Sequence, residues 1–267
     1  MLLPTKMVEK PWGMDTLPTP FAAPDGKRIG EIWFEPPEQL PQLLVKYIFA
    51  SEKLSIQVHP SDTQTEGMGL GKQGKEECWL VIDADEGATL GIGFNHQLGA
   101  EELRAASEDG SIEQLMIWHR VKPGDFFYIP ANTVHAIGGG VSIIEIQQNS
   151  DITYRLYDYG RPRELHLDDG VAVSQAGVHD PANRRHLPDS GDVALVDGPH
   201  FRLDRVDGQP DAATAARYSG PLLVIPREGA AMVEGEQVQP GSCALAPTIA
   251  AVRFAEGSSC LITQPIK

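Results

Sequence analysis

The feature that most limits how this chain can fold is its punctuation. Twenty-seven glycines and 21 prolines are spread between short runs of Val, Ile, Leu and Phe along 267 residues. Proline removes a backbone donor and glycine weakens helices, so such a chain reads as many short strands joined by turns. The stretches LLVKYIFA, LSIQVHP, ECWLVIDA, TLGIGF, DFFYIP and VSIIEIQQ are the strand candidates. GAEELRAASEDG, bounded by glycines, is the best helix and is expected to pack outside the sheets. LSIQVHP, residues 54–60, poses a question of its own. In a strand Leu54, Ile56 and Val58 point one way, and Ser55, Gln57 and His59 the other. The second face either meets water or lines a cavity that uses an amide and an imidazole.

An internal echo suggests two units. VKPGDFFYIPANTVHAI starts at Val121 and VQPGSCALAPTIAAVRF at Val238. Each has V-x-P-G and a second proline seven positions after the first, Pro123 to Pro130 and Pro240 to Pro247, so a turn, a strand and a turn recur at fixed spacing. Five residues past the second proline stands His135 in one copy and Val252 in the other. The second copy keeps the folding signal and loses the polar residue. The expected architecture is all-β: two double-sheet β-barrels with few helices, the second degenerate. Expected boundaries are 1–174 for the functional barrel, 175–195 for a polar linker or long loop, and 196–267 for a C-terminal β unit without metal ligands.

Charge narrows the partners. Thirty-seven acidic against 22 basic residues give a net charge of −15, which argues against nucleic acid or an anionic membrane. An anionic substrate would need a local cluster of cations. Cys78, Cys243 and Cys260 are odd in number and form no CxxC pair, which fits a reduced cytoplasm. The opening MLLPTKMVEKPWG lacks the apolar run of a signal peptide, and no stretch is apolar enough to span a bilayer. Oligomeric state is not legible.

Gln57 and His59 on one strand face offer two ligands to one ion. In GKEECWLVI, Glu77 shares a face with Trp79, and Glu76 lies on the other with Cys78. His135 follows PANTV, a turn in which Asn132 can take the left-handed conformation. Gln57, His59, Glu77 and His135 together make a two-nitrogen, two-oxygen shell, suited to zinc or a similar divalent ion with a position left open. Taken singly, each residue also has an ordinary reading: a hydrogen-bonded strand histidine, or a solvated acidic pair.

LSIQVHPSD, GKEECW, VKPGDFFYIPANTVHAI and QNSDITYRLYDYGRPRELHL occur in this order, with PWG at 11–13 and IGEIW at 29–33. They resemble the type I mannose-6-phosphate isomerases, cupin-fold enzymes, in their short bacterial form, over about residues 8–175. The resemblance implies a cupin-type jelly roll and one divalent ion, zinc, held by His59, Glu77 and His135 with Gln57 as fourth ligand. It implies Arg155, Lys75 and Asp151 as catalytic residues. It implies a phosphosugar substrate, mannose 6-phosphate and fructose 6-phosphate being interconverted through a cis-enediol. One departure is Gly74, where the longer enzymes carry a histidine, so that residue's role in proton transfer does not carry over.

Moving a proton between C1 and C2 needs a base and a group that stabilises the oxyanion. Arg155 offers a planar fork and Lys75 a compact charge. Asp151 or Glu145 could be the base, and Asp151 with Arg155 also reads as a local salt bridge. Arg161, Arg163 and His166 read equally as phosphate ligands or as a charged surface turn. Two other classes share the expected fold: a non-catalytic sugar-binding cupin, which Lys75 and Arg155 argue against, and a metal-dependent cupin oxygenase, which the Q-x-H and Arg155 motifs speak against.

Overall fold

A computed structural model of the chain describes residues 1–266. In chain order the first strands are β1 (Thr5–Met14), β2 (Ile29–Phe34), β3 (Leu43–Ala50), β4 (Ile56–Val58), β5 (Glu77–Ala84) and β6 (Thr89–Phe94). They continue with β7 (Met116–Arg120), β8 (Asp125–Ile129), β9 (His135–Ile137), β10 (Val141–Gln148), β11 (Tyr154–Tyr157) and β12 (Arg184–His186). The C-terminal strands are β13 (Val193–Asp197), β14 (Phe201–Asp207), β15 (Leu222–Glu228), β16 (Ala231–Val233), β17 (Glu236–Val238), β18 (Ala244–Ala246), β19 (Val252–Phe254) and β20 (Ser259–Pro265). The helices are short: α1 (Asp62–Gly67), α2 (Ala100–Asp109), α3 (Ile112–Leu115), α4 (Leu167–Val173) and α5 (Ala212–Ala216). Among the described residues none is long and apolar enough to cross a membrane.

The strands form four antiparallel layers. A seven-stranded sheet runs β1-β2-β3-β10-β5-β8-β12, and a five-stranded sheet β11-β4-β9-β6-β7 closes over one of its faces. A second five-stranded sheet, β13-β14-β20-β15-β18, covers the other face and is backed by β17-β16-β19. Side-chain alternation explains the stack. Along β3, Val45, Tyr47 and Phe49 join a core shared with Leu203, Leu223, Ile225 and Leu261 of the C-terminal half. Ile48 and Ala50, pointing oppositely, pack with Leu90, Ile92 and Ile137 of the first barrel. All eight residues of β3 and of β10 are buried, as expected for strands covered on both faces.

Each of the six strand stretches named from sequence holds a strand, and the glycine-bounded helix is α2. The stretch 175–195, expected as a linker or long loop, is not featureless. It contains a 3₁₀ turn at Pro181–Asn183, and β12 within it pairs Arg184↔Phe127 and Arg185↔Phe126 at the edge of the large sheet. Polar composition hid β12 because an exposed edge strand buries no apolar face; all three of its residues are exposed. The two V-x-P-G turns match in backbone, with Gly124 at φ +90° and Gly241 at φ +83°, a region that favours glycine.

Candidate metal centre

Four chain segments meet at one wall of the first barrel. On β4, Ile56 and Val58 are fully buried in a core beneath helix α4, while Ser55 and Gln57 line a cavity. The second face of LSIQVHP is therefore a cavity wall, and His59 follows at its end, 2% exposed. Gln57 pairs across the ladder with His135, the first residue of β9. The turn before it uses Asn132 at φ +72°, as its sequence allows. Glu77 opens β5 and points to the same side as Trp79, whose ring lies edge-on to His135, centroids 5.3 Å apart.

His59, Glu77 and His135 each bring a ligand atom within 4.8 Å of the others, and all three are buried. The hydrogen bonds assign the tautomers. His59 Nδ1 lies 2.8 Å from the Ile152 carbonyl and His135 Nδ1 2.9 Å from that of Thr133. A carbonyl only accepts, so each Nδ1 carries the proton and each Nε2 presents a lone pair. Those lone pairs face Glu77: His135 Nε2 is 3.2 Å from Oε1 and His59 Nε2 3.7 Å from Oε2. Glu77 Oε1 is buried and has no hydrogen-bond partner. Burial pushes Glu77 up to about 7, and Gln57 Nε2 lies 3.4 Å from His135 Nε2; the three converging ligand atoms form a buried set that could hold a cation.

Lys75 supplies a positive charge at this point: its Nζ donates to Glu77 Oε2 at 2.7 Å and to His59 Nε2 at 2.9 Å. It stands where lone pairs meet, a stand-in that shows how well the donor set accepts a cation. Burial, then the Lys75 charge, holds His135 down at about 4. Burial, with Lys75 and His135, takes His59 well below the ordinary histidine range. Both imidazoles are thus neutral, the form that binds metal. Burial pulls Lys75 down, but Glu77 and Glu145 outweigh it and keep the ammonium charged.

Behind Glu77 lies a row that the sequence showed only in fragments. Glu145 of β10 faces Lys46 of β3 on one side and Trp79 of β5 on the other. Trp79 Nε1 donates to Glu145 Oε1 at 3.0 Å, and Lys46 Nζ is 3.3 Å from Oε2. Burial pushes Glu145 up, yet Lys46 and Lys75 prevail and hold it ionised, at about 2. The missed signal was a single lysine inside LLVKYIFA: one charge on an inward position of an otherwise apolar strand. The same test singles out the lone glutamate of VSIIEIQQ.

The cavity, about 270 Å³, is lined by Lys10, Lys46, Lys75, Arg155 and Arg163 as well as by Gln57. A chain of net charge −15 thus concentrates cations at one opening. Asp151 is exposed at that opening. Among the described residues no ion pair joins Asp151 to Arg155, so the local salt bridge allowed by the sequence does not form. Arg155 Nη1 instead donates to the Glu164 carbonyl at 2.7 Å, and its buried Nε has no partner. Arg163 grips buried Asp158 through two bonds of 2.6 Å, and Arg161 Nη1 reaches the same carboxylate at 3.1 Å. Those two arginines fold the turn. His166 Nδ1 accepts from the Arg155 amide at 3.2 Å.

Gly74 has a structural reason. A Cβ there would lie 2.4 Å from the Pro60 oxygen and 2.5 Å from the Ser61 carbonyl carbon. The turn before α1 occupies the space that a side chain at 74 would need.

No family model matches the chain. It is 36% identical over 207 residues to mannose-6-phosphate isomerase ManA of Bacillus subtilis, covering 74% of this chain and 65% of that protein. It is 44% identical over 191 residues to the mannose-6-phosphate isomerase of Streptococcus mutans, 68% of this chain and 59% of that one. The chain thus spans somewhat less than two thirds of these curated relatives. Among solved structures, the mannose 6-phosphate isomerase from Bacillus subtilis superimposes with a TM-score of 0.80 at 24% identity, over 98% of both chains. A mutant phosphomannose isomerase from Salmonella typhimurium gives 0.72 at 14% identity, over 99% of this chain and 98% of that one. These likenesses establish the fold.

Proposed function

We propose that this chain, similar in sequence to mannose-6-phosphate isomerases and sharing the fold of a solved one, interconverts mannose 6-phosphate and fructose 6-phosphate. The observation that carries this reading is the juxtaposition of two neutral imidazoles and a carboxylate with a cation-rimmed cavity in an acidic chain. His59, Glu77 and His135 would hold one divalent ion, zinc by the nature of the donors, with Gln57 as the fourth ligand. When bound, the ion supplies fixed positive charge that polarises a sugar oxygen.

The remaining work falls to side chains. Arg155, which pairs with no carboxylate among the described residues, offers guanidinium donors to an enediolate or a phosphate. Lys75 adds a buried ammonium beside the ligands. Of the two base candidates, Asp151 is exposed at the opening, whereas Glu145 lies inside the cavity, ionised and held by Trp79 and Lys46. Glu145 is the deeper of the two, but the charges that hold it at about 2 leave it a weak base, so Asp151 is the group proposed to move the proton between C1 and C2. We assign residues 1–174 to a site-bearing unit and 196–267 to a covering unit. We also place the protein in a reducing cytoplasm, in keeping with three buried free cysteines. Purified protein should convert mannose 6-phosphate to fructose 6-phosphate, lose activity on dialysis against a chelator and regain it with zinc. Full turnover in metal-depleted protein, or none in zinc-loaded protein, would reject the reading.

A further inference from the structure

Strand alternation sends neighbouring glutamates in opposite directions. Glu77 points into the first barrel, while Glu76 points out toward the C-terminal half. There it is 6% exposed, and its Oε1 has no hydrogen-bond partner. The residue it meets is His200, in the turn between β13 and β14. The imidazole stands between two carboxylates, Nε2 being 3.7 Å from Glu76 Oε2 and Nδ1 3.5 Å from Asp62 Oδ2. Asp62 is itself a hub: its Oδ1 accepts from the Gly74 amide at 2.7 Å and from Gln148 Nε2 at 2.9 Å. Gln148 in turn accepts from the Glu76 amide at 2.9 Å. Three of these contacts end on residues 74–76, at the Gly74 amide, the Glu76 amide and the Glu76 carboxylate, the segment that delivers Lys75 and Glu77 to the cavity.

We propose that His200 is a positioning residue through which the C-terminal half fixes Lys75 and Glu77, by bridging Asp62 and Glu76 across the layer boundary. A carboxylate buried against an interface needs a partner with donors, and His200 is the group facing it from the covering sheet. The inference deepens the metal-site reading and rests on it. Outer residues that orient a ligand typically alter metal affinity by 10- to 100-fold.

The test uses the full chain, with zinc affinity measured by competition against a chromophoric chelator. His200→Phe keeps a ring and removes both ring nitrogens, and should weaken zinc binding by about tenfold or more. The melting temperature of zinc-free protein should stay near wild type. His200→Arg, which supplies hydrogen-bond donors at the same place, should recover most of the affinity. In a Glu76→Gln background the effect of His200→Phe should shrink to about twofold or less, because coupled residues are not additive. Wild-type affinity in His200→Phe, or the same loss in both backgrounds, would overturn the proposal. So would a fall in zinc-free stability that His200→Arg leaves unrescued, since that marks a general loosening. If wild-type protein itself binds no zinc, the metal-site reading fails and takes this inference with it; wild-type binding with indifferent His200 variants removes the inference alone.

Discussion

The two halves run the same local programme to opposite ends. V-x-P-G turns a strand, a second proline ends it, and the next strand begins at His135 in one half and Val252 in the other. His135 lies against Gln57 and Ile92, with a carboxylate 3.2 Å away. Val252 pairs with Val233 and joins a core containing Val206, Val224, Ala231 and Ile262. Both residues are equally buried, at 1% and 2% exposure. Burial therefore does not separate a site from a core. What separates them is whether the neighbours present acceptors that need a cation or methyl groups that need nothing.

A reciprocal swap tests that distinction with the largest effect. His135→Val should abolish both bound metal and turnover, because an incomplete shell leaves Glu77 buried without adequate compensation. Val252→His should gain no metal, and should cost about 1–3 kcal/mol of stability by burying an imidazole among apolar neighbours. Metal analysis and denaturant unfolding of the two variants read both outcomes. Metal retained in the first, or acquired in the second, would break the comparison.

Arg155→Ala comes next in size. The residue lies outside the proposed shell, so metal content and fold should survive. If its guanidinium stabilises charge that develops toward the enediolate, kcat should fall by about 10²–10³-fold. A rise in KM at constant kcat would instead make it a ground-state phosphate anchor. Arg155→Lys should recover little, since a point charge cannot reproduce the fork. Wild-type turnover in Arg155→Ala would remove the residue from the mechanism.

How far this difference could be read from sequence depends on what sets it. The turns and strands were legible because glycine and proline act locally: Gly124, Gly241 and Asn132 all adopt the positive φ that their types permit. The convergence of His59, Glu77 and His135 was partly legible, because alternation places Gln57 and His59 on one face and Glu77 on the same face as Trp79. The covering role of the C-terminal half was not. It depends on which sheet meets the outer face of β3, β5 and β10, and continuous apolar strands such as LLVKYIFA say only that both faces are buried. Lys46 and His200 escaped for the same reason: each matters through a partner distant in sequence.

The smallest expected effect concerns acid. His119 and His179 both belong to the site-bearing side of the molecule, and His200 is the one histidine beyond residue 196. His179 Nε2 donates to the Tyr128 carbonyl at 2.8 Å, leaving Nδ1 buried without a partner. Arg184 approaches His119 Nδ1 at 2.5 Å and can only donate, so that nitrogen must stay unprotonated. Burial first, and the Arg184 charge second, lower both residues to about 4. In the unfolded chain a histidine titrates near 6.5. Between those values the unfolded state binds more protons than the folded one, so stability falls as pH drops from about 6.5 to about 4, and these two residues add no further loss below that. Urea unfolding midpoints across this window should fall less steeply in His119→Gln and His179→Gln than in wild type. Hydrogen exchange should quicken first in β7 and β8, the strands bearing His119 and Tyr128, and later in β14 and β20. Equal acid sensitivity in both sets of strands would mean that the shared core couples the halves too tightly for buried histidines to distinguish them.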